Sequence, residues 1–154
     1  MTNPLCKYRR ATMVDAPGIA IIIAEVASEP NPVAFDQPFP IDKVERWIQR
    51  LGEQGSLFVA VTQRAEIAGF GALDFSTTEP DTALLGVWVR RQYRRQGIGT
   101  ALAECALDFA REIGYKRVRG RLPERNEPAL SFLSAIGALV PLRNPDTRFE
   151  LPLA

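Results

Sequence analysis

The most informative stretch of the sequence is residues 87–102, which read Val-Trp-Val-Arg-Arg-Gln-Tyr-Arg-Arg-Gln-Gly-Ile-Gly-Thr-Ala-Leu. The apolar start predicts a strand, the arginines form a basic loop, and the glycine pair leads into a helix. A glycine-rich turn before a helix leaves backbone N–H groups unpaired, and the helix dipole adds partial positive charge. Arginines at positions 90, 91, 94 and 95 add planar donors that match phosphate oxygens. The stretch therefore predicts an anion site, most naturally for a pyrophosphate.

Two other phosphate-binding motifs do not fit this stretch. A Walker A loop needs Gly-Lys-Ser/Thr, and here Thr100 follows the second glycine with no lysine before it. A dinucleotide fingerprint needs a third Gly or Ala where Leu102 stands, and an acid about 20 residues further on, where this chain has Arg119 and Arg121. A solvated arginine face is the remaining alternative. It leaves the glycines unexplained, because each costs about 1 kcal/mol of helix propensity relative to alanine.

Strands and helices are predicted on both sides of this stretch. Before it we predict a strand, a helix with Asp15 as its N-cap, a proline-rich loop, a second helix and a three-stranded meander, at residues 8–14, 15–28, 29–40, 41–51, 57–61, 67–75 and 83–89. After it we predict a helix, a strand, a helix and two closing strands, at residues 97–113, 116–122, 127–136, 139–142 and 148–153. This mixture without strict alternation favours an α+β fold on a mostly antiparallel sheet.

The long helix carries an apolar stripe that predicts its buried face: Ile98, Leu102, Cys105, Phe109 and Ile113. Cys105 is accordingly expected to be a core residue. A length of 154 residues favours a single domain over residues 1–154.

Composition narrows the chemistry. The chain carries 19 Lys and Arg against 18 Asp and Glu, so its charge gives no reason to expect a nucleic acid or an anionic membrane as partner. It has no histidine, and its two cysteines, Cys6 and Cys105, are far apart. These facts argue against Ser-His-Asp and Cys-His catalysis, histidine zinc sites and CxxC redox chemistry, so no metal is expected. Cysteine usage favours a cytoplasmic location.

The chain resembles the GNAT superfamily of acetyl-CoA-dependent N-acetyltransferases. The family signature Arg/Gln-x-x-Gly-x-Gly/Ala is matched at residues 94–99, after a Val-x-Val strand and before a long amphipathic helix. A second element at residues 126–133, Asn-Glu-Pro-Ala-Leu-Ser-Phe-Leu, is close to the family's Asn-x-x-Ala-x-x-Phe-Tyr stretch. The resemblance covers nearly the whole chain. It implies a GNAT fold, with a mixed sheet of six to seven strands and about four helices in α/β/α layers.

The resemblance also implies acetyl-CoA as co-substrate. Arg94 would open the motif, backbone N–H groups would hold the pyrophosphate, and the strand at residues 87–89 would pair with the pantetheine arm. Asn126 would form a hydrogen bond with the pantetheine or help to position the neighbouring strand. The alternative, which is compatible with these roles, is that Asn126 is the N-cap of the helix that follows it. The implied cofactor-binding residues are Val87, Trp88, Val89, Arg94, Arg95, Gln96, Gly97, Ile98, Gly99, Thr100 and Asn126.

The implied reaction is direct transfer, in which a neutral amine attacks the thioester without a covalent enzyme intermediate. Without histidine, the proton must leave through a carboxylate, a tyrosine or water. Glu79 and Asp81, just before the third meander strand, are the first candidates, and Asp74 and Glu25 are the second choices. The alternative for all four is an exposed charge without a catalytic role.

The acid that assists the leaving thiolate is open, because Leu133 stands where many relatives have tyrosine. The candidate donors are Ser134, Ser131, Tyr115 and water. The same departure motivates an alternative function, an acyl-CoA sensor with little turnover. A nucleic-acid module is a further alternative that the balanced charge disfavours.

The acceptor is expected to be a small-molecule or peptide amine. In the family, its groove is formed by the segments that correspond to residues 29–39 and 144–148. Glu29, Asp36 and Asp42 are expected to attract a cationic amine, and Phe35 and Phe39 to pack on its apolar part. The closing strands make a homodimer plausible.

Overall fold

The computed structural model describes residues 6–29, 35, 37–121 and 148–153. Its strands are β1 (Cys6–Arg10), β2 (Ser56–Thr62), β3 (Ile67–Phe75), β4 (Thr82–Val89), β5 (Arg117–Arg121) and β6 (Arg148–Pro152). Its α-helices are α1 (Ala16–Ala27), α2 (Ile41–Leu51) and α3 (Ile98–Ile113), and short 3-10 turns lie at Met13–Asp15 and Arg91–Tyr93.

The described strands form one mixed sheet in the order β1-β2-β3-β4-β5-β6. Every neighbouring pair is antiparallel except β4 and β5, which are parallel. A parallel pair needs a crossover connection, and α3 supplies it. The predicted α+β class and mostly antiparallel sheet are therefore confirmed. The helix predicted at residues 127–136 and the strand at 139–142 lie outside the described residues.

Helix α3 covers one face of the sheet, and α1 and α2 cover the other. Because strand side chains alternate between faces, Leu73 packs with α3 while its neighbour Ala72 packs with α1 and α2. Two cores result, one on each side of β2 and β3. The layers agree with the α/β/α arrangement expected above.

The buried stripe of α3 differs in part from the prediction. Ile98 and Leu102 are buried and Cys105 is half-buried, but Ile113 is 45% exposed. The other buried residues of α3 are Ala103, Ala106, Leu107 and Ala110. The glycines of β3 explain the close approach, because a Cβ at Gly69 would lie 3.3 Å from Cδ1 of Leu102.

The first strand was predicted at residues 8–14, and that boundary is wrong. β1 ends at Arg10, and the chain then turns through Met13–Asp15, where Val14 is 87% exposed. Asp15 does precede α1, but its side chain does not cap that helix. Its carboxylate accepts the Thr12 N–H at 2.8 Å and two hydrogen bonds from Arg9 at 2.7 and 2.9 Å. The side chain of Asp15 therefore fastens the β1–α1 connection.

Asp15→Asn is expected to lower the free energy of unfolding by about 2 kcal/mol at pH 7, the scale of hydrogen bonds to a buried charge. The hydrogen bonds from Arg9 are the main reason that the pKa of Asp15 lies below its ordinary value. The pair therefore stabilises the fold fully above the unfolded pKa of about 3.9, and the stabilisation disappears as the pH falls through the folded pKa.

Urea unfolding of wild type and Asp15→Asn at pH 7 and pH 2.5 or so measures this effect. The difference between the two proteins should shrink at the acid end. Asp108→Asn is the matched control, because Asp108 is 74% exposed in its 3.4 Å pair with Arg111. A difference for Asp15→Asn that does not exceed the control's at pH 7 contradicts the prediction.

Candidate functional site

The connection from β4 to α3 has two left-handed residues. Arg95 has φ 65°, and Gly97, the N-cap of α3, has φ 81° and ψ 5°. A Cβ at Gly97 would meet nothing within 4 Å, so glycine is required there by the backbone conformation and not by lack of room. By the geometry of a helix start, the N–H groups of residues 97–100 have no partner within α3. These N–H groups lie where the sequence predicts an anion site.

The arginines of this connection do not act as one group. Arg94 donates from Nε to the Val89 carbonyl oxygen at 2.8 Å and from its terminal nitrogen to the carboxylate of Glu29. Arg90 makes two hydrogen bonds to Glu25, at 3.1 and 2.8 Å. The side chain of Arg95 is exposed, as is that of Arg91. Two of the predicted phosphate donors are therefore also tied to the end of α1.

Among the described residues, β4 has no strand partner along one edge beside the start of α3. The described ladder between β4 and β5 ends at Leu85 and Gly120, whereas β4 continues to Val89. The N–H of Arg90 bonds to β3, and the carbonyl of Leu85 points toward Gly120 of β5. Because backbone groups alternate along a strand, Val87 and Val89 direct theirs past the end of the described ladder. An extended ligand can add to this edge as a further strand.

The two faces of β4 differ beside the open edge. On the α3 side, a Cβ at Gly99 would lie 3.7 Å from Val87 and 3.6 Å from Val89. On the α1 and α2 side, Trp88 stacks on Phe70 with ring centroids 4.9 Å apart. A Cβ at Gly86 would lie only 2.1 Å from Cη2 of Trp88, so Gly86 makes room for the indole. Trp88 was predicted only as a backbone partner of the pantetheine arm, and its ring contact with Phe70 was not predicted.

Glu79 and Asp81, the predicted bases, lie before β4 and occupy different environments. Glu79 accepts hydrogen bonds from Arg119 at 2.6 Å and from the Thr82 hydroxyl at 3.2 Å. Chiefly because of Arg119, the pKa of Glu79 lies below its ordinary value. Asp81 is exposed, with its carboxylate 3.7 Å from Lys116.

These two carboxylates lie beyond the end of β4 that is remote from the anion site. At a strand rise of about 3.3 Å per residue, the eight residues of β4 span about 23 Å. Arg119 is the register partner of Leu84, the third residue of β4. The carboxylate of Glu79 is therefore bonded to a side chain of the neighbouring strand β5.

The other predicted proton carriers are engaged elsewhere or not described. Glu25 is bound to Arg90, and Asp74 accepts from Trp47 Nε1 at 3.0 Å and from Arg50. The hydroxyl of Tyr115 donates to the Gln54 carbonyl oxygen at 2.7 Å. Outside the described residues lie Asn126, Ser131, Leu133, Ser134 and Asp36.

Both described carboxylates that were expected to attract a cationic amine have an arginine partner. Glu29 is bound to Arg94, and Asp42 is bound to Arg46 at 2.7 Å. Phe35 and Phe39 do lie together, with ring centroids 5.1 Å apart. The described part of the groove is therefore aromatic, and its carboxylates are paired.

Two further classes of site were searched in the described part of the chain. No group of three or more His, Cys, Asp and Glu side chains there could hold a metal ion. No described helix combines the length and the apolar character needed to cross a membrane.

The mixed six-stranded sheet, with a helix that begins at a left-handed glycine beside β4, defines an α+β protein. Residues 21–138 match the model described as the acetyltransferase (GNAT) family, and the chain belongs to that family. The resemblance inferred from the motif is thereby confirmed.

The chain is similar to curated proteins of related description. It is 30% identical over 132 residues to streptothricin acetyltransferase of Streptomyces lavendulae, covering 80% of this chain and 66% of that protein. It is 38% identical over 72 residues to human N-acetyltransferase 8, covering 44% of this chain and 32% of that protein. The chain therefore spans about two thirds or less of the length of these relatives.

Solved structures share the fold. An N-acetyltransferase from Staphylococcus aureus Mu50 superposes with a TM-score of 0.84 at 19% identity, covering 97% of this chain and 99% of that chain. A GNAT superfamily phosphinothricin acetyltransferase from Sinorhizobium meliloti, solved in complex with acetyl-CoA, superposes with a TM-score of 0.84 at 15% identity, covering 97% and 89%. The GNAT fold predicted from the motif is confirmed.

Proposed function

We propose that the protein is an N-acetyltransferase that transfers an acetyl group from acetyl-CoA to a primary amine by direct attack. The observation that carries the proposal is the open edge of β4 that ends at the left-handed Gly97 and the start of α3. An edge for an extended arm and a cradle for its phosphates lie in series, as a CoA thioester requires. The family membership and the acetyl-CoA-bound neighbour support this function.

In this proposal the chain binds acetyl-CoA mostly through its backbone. The N–H groups from Arg95, Gln96, Gly97, Ile98, Gly99 and Thr100 hold the pyrophosphate, with the guanidinium of Arg94 beside them. Val87 offers its N–H and carbonyl to the pantetheine arm, and Val89 offers its N–H, because the Val89 carbonyl already accepts from Arg94. Asn126 keeps its predicted role on the same arm.

The reaction needs one proton removed and one leaving group stabilised. The amine nitrogen attacks the thioester carbonyl carbon, the C–S bond breaks, and CoA departs as a thiolate. Glu79 is proposed to take the ammonium proton, directly or through water, because its bond to Arg119 on the strand beside β4 favours the ionised carboxylate and lowers its pKa. Ser134 is proposed as the donor to the thiolate, and Asp81 as the alternative base.

Calorimetry with acetyl-CoA, followed by thiol release over a panel of amines, tests the function. We expect saturable binding and amine-dependent release of CoA. If acetyl-CoA does not bind at millimolar concentration, the acetyltransferase activity proposed from the family is wrong. Binding without turnover on any amine would favour the alternative, an acyl-CoA sensor.

Glu79→Gln is expected to lower kcat about 100-fold, the scale of a lost general base, and to leave the acetyl-CoA Kd unchanged. The pKa of Glu79 is lowered by Arg119, so its carboxylate stays ionised as the pH falls through the neutral range. The rate should therefore rise with pH only as the acceptor amine loses its own proton. Above about pH 5, the titration of Glu79 should not change the pH–rate profile.

Pre-steady-state and steady-state rates between pH 5 and 9 measure this effect. Glu112→Gln, an exposed change on α3, is the control. A comparable loss in Asp81→Asn with none in Glu79→Gln would transfer the role of base to Asp81.

We further propose that residues 1–154 form a single domain and that the protein is a cytoplasmic homodimer. The prediction of a dimer rests on the apolar closing strands. Sedimentation at micromolar concentration tests it.

A further inference from the structure

The two faces of the sheet at β4 are covered differently. This difference indicates the side from which an acceptor can reach the open edge of β4. This inference rests on the proposed function. Helix α3 covers the face of Val87 and Val89, where Gly99 comes close to both side chains. The even-numbered residues of β4 face the α1 and α2 side, where Leu84 is 44% exposed and Trp88 is half-buried. An amine therefore approaches across Leu84, Gly86 and Trp88.

An aromatic wall borders this approach. The indole of Trp88 folds back over Gly86 and is held there by Phe70 behind it, with the rings stacked at 26°. The ring centroid of Phe35 lies 4.7 Å from that of Trp88, and the ring centroid of Phe39 lies 5.1 Å from that of Phe35. The wall thus runs without a break from the middle of β4 to the start of α2. Phe35 and Phe70 are buried, and Trp88 and Phe39 are the half-buried members of the wall. The indole of Trp88 is the part of the wall that lies on β4 itself.

The charges around the wall cancel within the described residues. Asp74 is bound by Arg50, and Arg119 lies between two carboxylates, Glu79 and Glu150. Farther along, Glu29 and Asp42 each have an arginine partner, and the ammonium of Lys43 lies 3.9 Å from the Phe39 ring centroid. A polycation would bring several positive charges to a surface whose described carboxylates are already paired. An amine on an apolar body requires only that its body displace water from the wall.

We propose that the acceptor is a monoamine carried on an aromatic or bulky apolar body, which packs against Trp88 and Leu84 while its nitrogen reaches the open edge of β4. The named relative at 30% identity acts on streptothricin by its description. The pairing of the described carboxylates beside the wall disfavours a polycationic acceptor.

Thiol release by the full chain with saturating acetyl-CoA tests the proposal. Tryptamine and 2-phenylethylamine are compared with spermidine and streptothricin as polycations and with ethanolamine as a small polar amine. We expect kcat/KM for the aromatic monoamines to exceed that for the other three by about 10-fold or more, which the removal of apolar surface from water can supply. This comparison uses the wild-type protein and does not depend on any variant folding.

A variant then tests the wall itself. Trp88→Leu should raise KM for tryptamine about 10-fold and change KM for ethanolamine less than twofold, with kcat for both amines similarly affected. Ile113→Ala, an exposed apolar change on α3, is the control.

The outcomes separate the two proposals. If acetyl-CoA does not bind, the proposed function itself fails. If acetyl-CoA binds, and the polycations are used as well as the aromatic amines or no aromatic amine is acetylated, only the acceptor class is overturned. An equal change in KM for tryptamine and ethanolamine in Trp88→Leu also overturns it.

Discussion

The double variant Arg94→Ala, Gly97→Val is expected to weaken acetyl-CoA binding about 100-fold or more. Arg94 loses a charge-assisted contact with phosphate, about 1.5–3 kcal/mol. Valine at the φ of 81° that Gly97 adopts costs about 1–2 kcal/mol, because L-residues crowd their own backbone in the left-handed region. The connection relaxes and its N–H groups no longer converge. Isothermal titration with acetyl-CoA measures the change.

The other end of α3 offers a matched control. Gly114 is also left-handed, with φ 101° and nothing within 4 Å of a Cβ, and Arg111 is an exposed arginine in the last turn. Arg111→Ala with Gly114→Val imposes the same kinds of change far from the anion site. It should destabilise the fold comparably and leave acetyl-CoA affinity within twofold. Equal affinities for both double variants would mean that the pyrophosphate lies elsewhere.

Phe70→Ala is expected to lower the free energy of unfolding by about 3–5 kcal/mol, the range for a large aromatic side chain removed from a core. Phe70 is fully buried, and its ring contacts those of Trp88, Trp47 and Phe35. Its loss removes the support behind Trp88 as well as apolar area. Urea unfolding followed by circular dichroism measures the stability.

Phe75→Ala is the control for this core change. Phe75 ends β3, is half-buried, and has Arg50 5.0 Å from its ring centroid. A partly exposed ring contributes less transfer free energy, so a loss of about 1 kcal/mol is expected. If Phe70→Ala costs no more than Phe75→Ala, the aromatic wall is not held from behind by Phe70.

The anion site was predictable because its signal is local. Glycine at positions 97 and 99, a basic loop and an apolar strand lie within 16 consecutive residues, and each has a direct conformational meaning. The left-handed φ of Gly97 and the helix start at Ile98 agree with that prediction. The meander was predictable for the same reason, since β2, β3 and β4 follow one another with short connections.

The end of β1 was not predictable in this way. Residues 11–14 are as apolar as a short strand, but the Ala11 N–H already bonds to the Leu57 carbonyl and the chain then turns into Met13–Asp15. The hydrogen bonds from Arg9 and Thr12 to Asp15 hold this turn. The pairing of β1 is set by β2, whose paired residues lie 48 or more positions away in the sequence.

The family, the order of most elements and the helix start at the glycine pair followed from the sequence alone. The partners of the charged side chains and the aromatic contacts of Trp88 required the folded structure. Glu25 and Glu29 lie 65 residues from Arg90 and Arg94, and Trp47 lies 27 residues from Asp74, yet each pair is bonded. Local patterns report backbone conformation, whereas the partner of a side chain is set by the packing of distant elements. The carboxylates predicted for a cationic amine were therefore found paired, and the aromatic wall became visible only in the fold.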